Sequence, residues 1–415
     1  MTLKIKNLDR GRPCLVIAPH LEYPTRNGGD LLIDRRWAEF SRYVPFVDIV
    51  GKCTVTRYSG GRLVSQDAFS NEWRSKRAAA ARTVLRRSHY LLEKYLGGAF
   101  RARCVELLND GSYGTVVFSL ISTASLYDEL PVKPGRLYCI ETQNDEIKWF
   151  RDLGREAGNP VARFAASLSE KWLKSFLRRH EDTFLYIHVT EADLRGYLEL
   201  SPRQQGLVAP VGVDMEKDAI CHQCPSDKVR LIFAGSLGVR MNCDALNVFG
   251  TEFYPALKAG LGDGLEVRVV GSRPGAEVKA LCSRFGWELF PDVTDEKLME
   301  LYASSTFSIL PFHYVTGGKL KLLKSLSLGV PFLSTLEMRE QINGLVHPCL
   351  LSNDPGEWLA RALEVRDNGI GKETRASLAD YARQYSWTSI VAGMVEVMGL
   401  EPSTAAKKTR EAAVD

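Results

Sequence analysis

Long apolar runs are missing from this sequence. No stretch approaches the roughly 18 apolar residues that a bilayer-spanning helix needs, so no such helix is expected. Met1 to Arg12 is polar and charged, without the apolar centre of a secretory leader, and no signal peptide is expected either. A charge excess of one sign is also lacking: 54 Lys+Arg against 50 Asp+Glu leave +4, too little to argue for a nucleic-acid partner. Nine cysteines in 415 residues follow no framework spacing, which fits a reducing cytoplasm better than a disulfide-stapled secreted protein. Cys221 and Cys224 form a single CxxC with no second pair at a matching distance, so no metal site is expected. There is no G-x-G-x-x-G, and a nicotinamide dinucleotide is not indicated.

What is present is an ordinary globular composition, 45% hydrophobic and 25% charged, in a chain long enough for two domains of about 200 residues each. Residues 13–20 form a short apolar run followed by a loop carrying Gly28-Gly29, with a helix expected from near Asp30 through Phe40. Residues 46–55, 115–120, 136–140, 183–189 and 207–211 read as further strands, and 161–180 as a helix. The polar cluster Glu141 to Glu146 directly follows one of these strands, a position where α/β sites form. Composition turns polar at 221–228, then a second strand, glycine loop and helix starts at 229. Strands at 265–270, 287–290 and 306–311 continue the alternation. Strand and helix alternating twice over predict an α/β protein with two Rossmann-like parallel-sheet domains. The expected boundaries are 1–215, 228–380, a helix within 381–402, and a disordered tail at 403–415.

Two stretches stand out. Thr316-Gly317-Gly318 precedes a short helix carrying Lys319, Lys321 and Lys324, so backbone N–H groups, the positive helix end and lysines coincide as in an anion site. A solvated lysine-rich helix is the plainer reading of that stretch alone. Between Arg74 and Arg103 nine basic residues (Arg74, Lys76, Arg77, Arg82, Arg86, Arg87, Lys94, Arg101, Arg103) meet one acid, Glu93. Residues 72–95 read as one long helix, with Val84, Leu85, Leu91, Leu92 and Leu96 as a partial apolar stripe. It is read either as a solvated helix or as a contact with an anionic membrane surface, each basic residue contributing about 1 kcal/mol.

In their order, several segments resemble retaining glycosyltransferases of the GT-B fold, family 4 type. Leu231 to Phe249 (LIFAGSLGVRMNCDALNVF) is similar to that family's FVGS…N.DAL..F segment, and Leu265 to Pro274 to its L.VVG..P. Val293 to Pro311 and Gly317 to Pro331 match its next two motifs. HVTEAD at 188–193, APVGVD at 209–214 and Tyr385-Ser386-Trp387 complete the series. The resemblance implies two domains facing across a cleft, with a C-terminal helix returning to the first. It also implies a UDP- or GDP-linked sugar donor on the second domain, a saccharide or lipid-linked saccharide acceptor on the first, and neither metal nor other cofactor. Carried over by position, Gly28, Gly29, Arg240, Gly317, Gly318, Lys319 and Lys321 bind the donor diphosphate. Gly271, Ser272, Arg273, Asp292, Val293 and Lys324 surround the nucleoside. Gln143, Asn144 and Glu146 lie at the reacting sugar.

The sequence departs from the family where two glutamates are usual, since Gly317 and Lys324 stand there, and Gln143 replaces a common histidine. The implied activity is transfer of a hexose, with retention, in cell-surface polysaccharide synthesis at the cytoplasmic face of the membrane. A non-catalytic glycosyltransferase-like subunit and a UDP-sugar 2-epimerase of the same fold are the alternatives.

Overall fold

The computed structural model describes residues 11–25, 28–129, 135–215, 228–314, 320–341, 344 and 346–399. The chain folds as two compact units: unit 1 is Met1–Pro210 with Ile390–Asp415, and unit 2 is Val211–Ser389.

Unit 1 is built on an eight-stranded sheet. Its strands are β1 (Cys14–Ile17), β2 (Val47–Val50), β3 (Thr54–Ser59), β4 (Arg62–Ala68), β5 (Thr115–Ser119), β6 (Leu137–Glu141), β7 (Leu185–His188) and β8 (Gln205–Val208), in the order β4-β3-β2-β1-β5-β6-β7-β8. β1, β2 and β5 to β8 run parallel. β1 reads CLVI and is fully buried, as expected of a central strand covered on both faces.

Two expectations fail in this unit. Residues 46–55 are not one strand: β2 ends at Val50, and β3 returns antiparallel to it and on into β4. Gly51 permits the reversal, because its N–H bonds Thr54 O at 2.8 Å and a Cβ there would stand 2.9 Å from Leu21 O. Residues 72–95 are not one helix either. The chain forms helices Lys76–Arg86 and Tyr90–Tyr95, then Gly98–Asn109, with Arg87 left-handed at φ 50°. The break is fixed by His89, buried against Phe150 and Trp172, whose Nδ1 caps the second helix through Leu91 N. The basic residues of 74–103 therefore do not share one helix face, and Leu85 is exposed rather than part of an apolar stripe.

Unit 1 is tied internally by a buried ion pair. Arg36 Nη1 donates to Glu141 Oε1 at 2.5 Å and Nη2 to the carbonyls of Ala209 and Pro210 at 2.6 and 2.9 Å, while Trp37 Nε1 donates to Glu141 Oε2 at 3.0 Å. Both side chains of the pair are excluded from solvent. Arg36 thus joins Glu141, at the end of β6, to the residues where the chain leaves the unit.

Unit 2 has a six-stranded, wholly parallel sheet of β9 (Val229–Ala234), β10 (Leu265–Gly271), β11 (Glu288–Pro291), β12 (Phe307–Leu310), β13 (Phe332–Ser334) and β14 (Leu350–Leu351), ordered β11-β10-β9-β12-β13-β14. Its core packs Phe233, Phe249, Phe253, Phe312 and Trp358, with Phe253 stacked on Trp358 at 4.2 Å. The helix Trp387–Val397 begins in unit 2, and its residues from Ile390 onward belong to unit 1. No helix among the described residues is long and apolar enough to cross a membrane.

Candidate functional site

In a parallel sheet, loops leaving the carboxyl ends of the strands are free to converge, and most of the predicted residues lie there. In unit 2 the loop after β9, Gly235 to Gly238, is stitched to the loop after β10. Gly235 N bonds Val270 O at 3.0 Å, and Leu237 N bonds Ser272 O at 2.8 Å. The two backbones approach so closely that a Cβ on Gly271 would lie 1.6 Å from Gly235 O, so only glycine fits. Beyond it Arg273 and Asp292 both take left-handed conformations, at φ 53° and 48°. They are held together by Arg273 N to Asp292 Oδ1 at 3.3 Å and Asp292 N to Gly271 O at 3.1 Å. Strained non-glycine residues persist where surrounding structure over-determines them, and here they shape the rim of the loop cluster.

Lys321, second residue of the helix Leu320–Ser327, reaches under the same loop. Its Nζ donates to Asn242 Oδ1 at 2.7 Å and stands 4.7 and 4.9 Å from the ring centroids of Phe233 and Phe312. Asn242 Nδ2 donates in turn to Ser236 O at 2.7 Å. A Cβ on Gly235 would meet the ammonium at 2.7 Å, so the missing side chain makes room for the cation. The helix Arg240–Val248 starts from this loop and no side chain caps its first turn, which leaves the positive end of its dipole toward the loop.

Gly271, Ser272, Arg273, Asp292 and Lys321 are thus neighbours at one sheet edge. Ser272 Oγ lies 3.4 Å from Ser236 Oγ. Arg240 is largely exposed and held by Asp244 and Glu277 at 2.8 and 3.1 Å. Val293 packs against the small core of Ile232, Val270 and Tyr302. Lys324 is half-buried on the same helix as Lys321. Gly317, Gly318 and Lys319 lie outside the described residues, as do Cys221 and Cys224. Among the described residues no group of three or more His, Cys, Asp or Glu could hold a metal ion.

In unit 1 the helix containing Gly28 and Gly29 begins at Gly28 itself, two residues earlier than expected, so the glycines are its first turn. The trio Gln143, Asn144 and Glu146 splits. Gln143 Nε2 lies 2.8 Å from His20 Nε2 and 3.4 Å from Ser119 Oγ, joining the carboxyl ends of β1, β5 and β6. An amide nitrogen only donates, so His20 Nε2 accepts and the proton of the neutral ring sits on Nδ1, a buried atom with no partner. Burial, with Lys94 as a lesser cause, lowers the His20 pKa to about 4, and the ring is neutral. Asn144 offers its carbonyl to Tyr197 Oη at 3.5 Å.

Glu146 turns inward. Its Oε1 accepts from Ile121 N at 2.9 Å, while Oε2 is buried without a partner. Burial, aided by the nearby Asp145 charge and opposed by the Ile121 N–H, raises its pKa to about 7. His20, Ser119 and Asn242 were not picked out as site residues from sequence. His20 had one usable signal, its place at the end of the apolar run 13–20, whereas its link to Gln143 spans 123 residues.

Residues 228–368 match the family model described as Glycosyl transferases group 1. No curated protein matches the chain. Among solved structures, sucrose-phosphate synthase from Thermosynechococcus elongatus is similar with a TM-score of 0.63 at 12% identity, over 93% of this chain and 98% of that one. The E. coli trehalose-6-phosphate protein bound with UDP-2-fluoro glucose gives 0.63 at 11%, over 94% and 100%. The pneumococcal O-GlcNAc transferase GtfA in complex with UDP and GlcNAc gives 0.60 at 10%, over 94% and 99%. At such identities the likeness is one of fold. The chain therefore carries the GT-B fold, and its residues 228–368 are similar to the group 1 glycosyl transferases.

Proposed function

We propose that the protein transfers a hexose, with retention and without a metal, from a UDP- or GDP-linked sugar to a polysaccharide or lipid-linked saccharide. The observation that carries this reading is the Lys321 ammonium lodged beneath the glycine loop after β9, beside an uncapped helix start. A leaving diphosphate needs cations and N–H groups where its charge develops, and that constellation supplies both. Gly271 to Arg273 and Asp292 form the neighbouring rim, suited to the nucleoside. The structural neighbours bound with UDP-2-fluoro glucose and with UDP and GlcNAc favour a uridine donor. Gln143 and the neutral His20 are assigned to the sugar and acceptor side.

Calorimetry with UDP and with GDP, followed by product mass after incubation with donor and membrane extract, tests the assignment. Absence of binding to either nucleotide together with absence of nucleotide release on adding acceptor would sink it.

A non-catalytic subunit is the second reading, favoured by Lys324 standing where the resembled family has a carboxylate. Lys324→Glu separates the two: an enzyme changes its donor affinity, and a drifted scaffold does not. Incubating UDP-N-acetylhexosamine alone excludes an epimerase if no isomer forms, because an epimerase needs no acceptor.

A further inference from the structure

The basic density of residues 74–103, denied a single helix face, is folded around a cavity of about 450 Å³ in unit 1. Its wall carries Arg74, Arg86 and Arg101 with Ser125 and the carboxylates of Glu93 and Glu129, over the half-buried Leu92 and Leu96. That volume lies in the range of small-ligand sites.

The carboxylates do not neutralise the wall. Glu93 is shared by Arg82 at 3.1 Å and Arg86 at 3.8 Å and also accepts from Ser88 Oγ, and Glu129 is taken by Arg101. Three guanidiniums in the wall thus meet two carboxylates, one of which Arg82 also engages from outside the wall. Arg74 is positioned by the backbone: its Nη1 donates to Glu93 O at 2.5 Å, and a Cβ on Gly97 would stand 2.9 Å from its Nη2. Absence of a side chain at Gly97 is what admits that guanidinium to the wall.

We infer that this pocket binds the phosphate of a phosphorylated saccharide, with Arg74, Arg86 and Arg101 on the phosphate and Ser125 and the leucine floor on the sugar. Guanidinium forks match phosphate oxygens two at a time, and the space exceeds what a bare phosphate would fill. Within the proposed function the pocket is an anchor for an acidic acceptor. Its binding can be measured without turnover, so it stands or falls separately from the donor assignment.

The test is calorimetry of the full chain with glucose 6-phosphate and with pyrophosphate. Arg101→Ala and Gly97→Leu, which evicts Arg74 without touching its charge, should each weaken glucose 6-phosphate binding about tenfold or more. Lys321→Ala should leave that binding unchanged. Circular dichroism of each variant checks folding, and Arg86→Ala serves if Gly97→Leu does not fold. Binding lost only in Lys321→Ala, or indifferent to all the pocket variants, overturns the inference. So does sedimentation with phosphatidylserine vesicles that the same variants abolish while sugar phosphate gives no heat, which would assign the arginines to a lipid surface.

Discussion

Glu146→Gln isolates one buried carboxyl. Glu146 is 2% exposed, and its pKa rises from 4.5 to about 7 because burial penalises the charged form more than the single N–H from Ile121 favours it. A folded-state pKa above the unfolded value means that the native protein holds the proton more tightly. Stability is therefore greatest below pH 4.5 for this group and falls as pH rises toward 7, where the native carboxyl finally ionises. That rise, at about 1.4 kcal/mol for each pH unit, amounts to about 3 kcal/mol. Glutamine keeps an oxygen for Ile121 N–H and carries no charge, so the variant should lack this slope. Measured by urea unfolding at about pH 4 and about pH 8.5, on either side of the titration, the stability difference between variant and parent should move by about 3 kcal/mol in favour of the variant at the higher pH. Other titrating groups, including the buried histidines, are common to both proteins and cancel. A difference that stays constant with pH would show the carboxyl to be solvated and ionised throughout, and the reasoning would fail.

Three further outcomes follow from the same geometry. Arg36→Met or Glu141→Gln alone strands a buried partner and should cost about 3 to 5 kcal/mol by urea unfolding, with Arg36→Met/Glu141→Leu recovering part of that loss. Gly271→Ala pushes a Cβ into Gly235 O and should weaken UDP binding at least tenfold by calorimetry, with unit 1 unfolding unchanged. His20→Phe removes the ring nitrogens beside Gln143 and should lower donor turnover at least tenfold while leaving UDP affinity intact, since the nucleotide is assigned to unit 2.

The parts legible in the sequence were those written in local chemistry. The glycine loop after β9 and the strand that runs into Gly271 both use residues whose backbone preferences announce them. The break at Arg87 carries no glycine or proline, and depends on His89 docking against Phe150 and Trp172 from helices more than fifty residues on. Likewise the need for glycine at 51 comes in part from Leu21, whose carbonyl, in another loop, leaves no room for a Cβ. Glu141 and Glu146 looked alike as members of one polar cluster. Their surroundings separate them: one is matched by Arg36 and Trp37, the other faces a lone N–H. Periodicity cannot see either difference, because both are decided by what packs from elsewhere in the chain.

Lys321 raises the question of whether its charge or its shape matters. An ammonium in a general positive field could be replaced by a guanidinium with little loss. Here the Nζ packs over two adjacent aromatic rings, at hydrogen-bond distance from Asn242 and 2.7 Å from where a Gly235 Cβ would be, so the planar, larger arginine head cannot take its place. Lys321→Arg should therefore lose UDP affinity nearly as fully as Lys321→Met. A charge-assisted contact is worth about 1.5 to 3 kcal/mol, which corresponds to roughly a 10- to 150-fold rise in Kd for each variant. Gly235→Ala, which displaces the lysine from the other side while leaving it charged, should fall in the same range. If Lys321→Arg binds UDP as the parent does, the slot is incidental, and attraction from the helix dipole and any cation at this position is sufficient to hold the diphosphate.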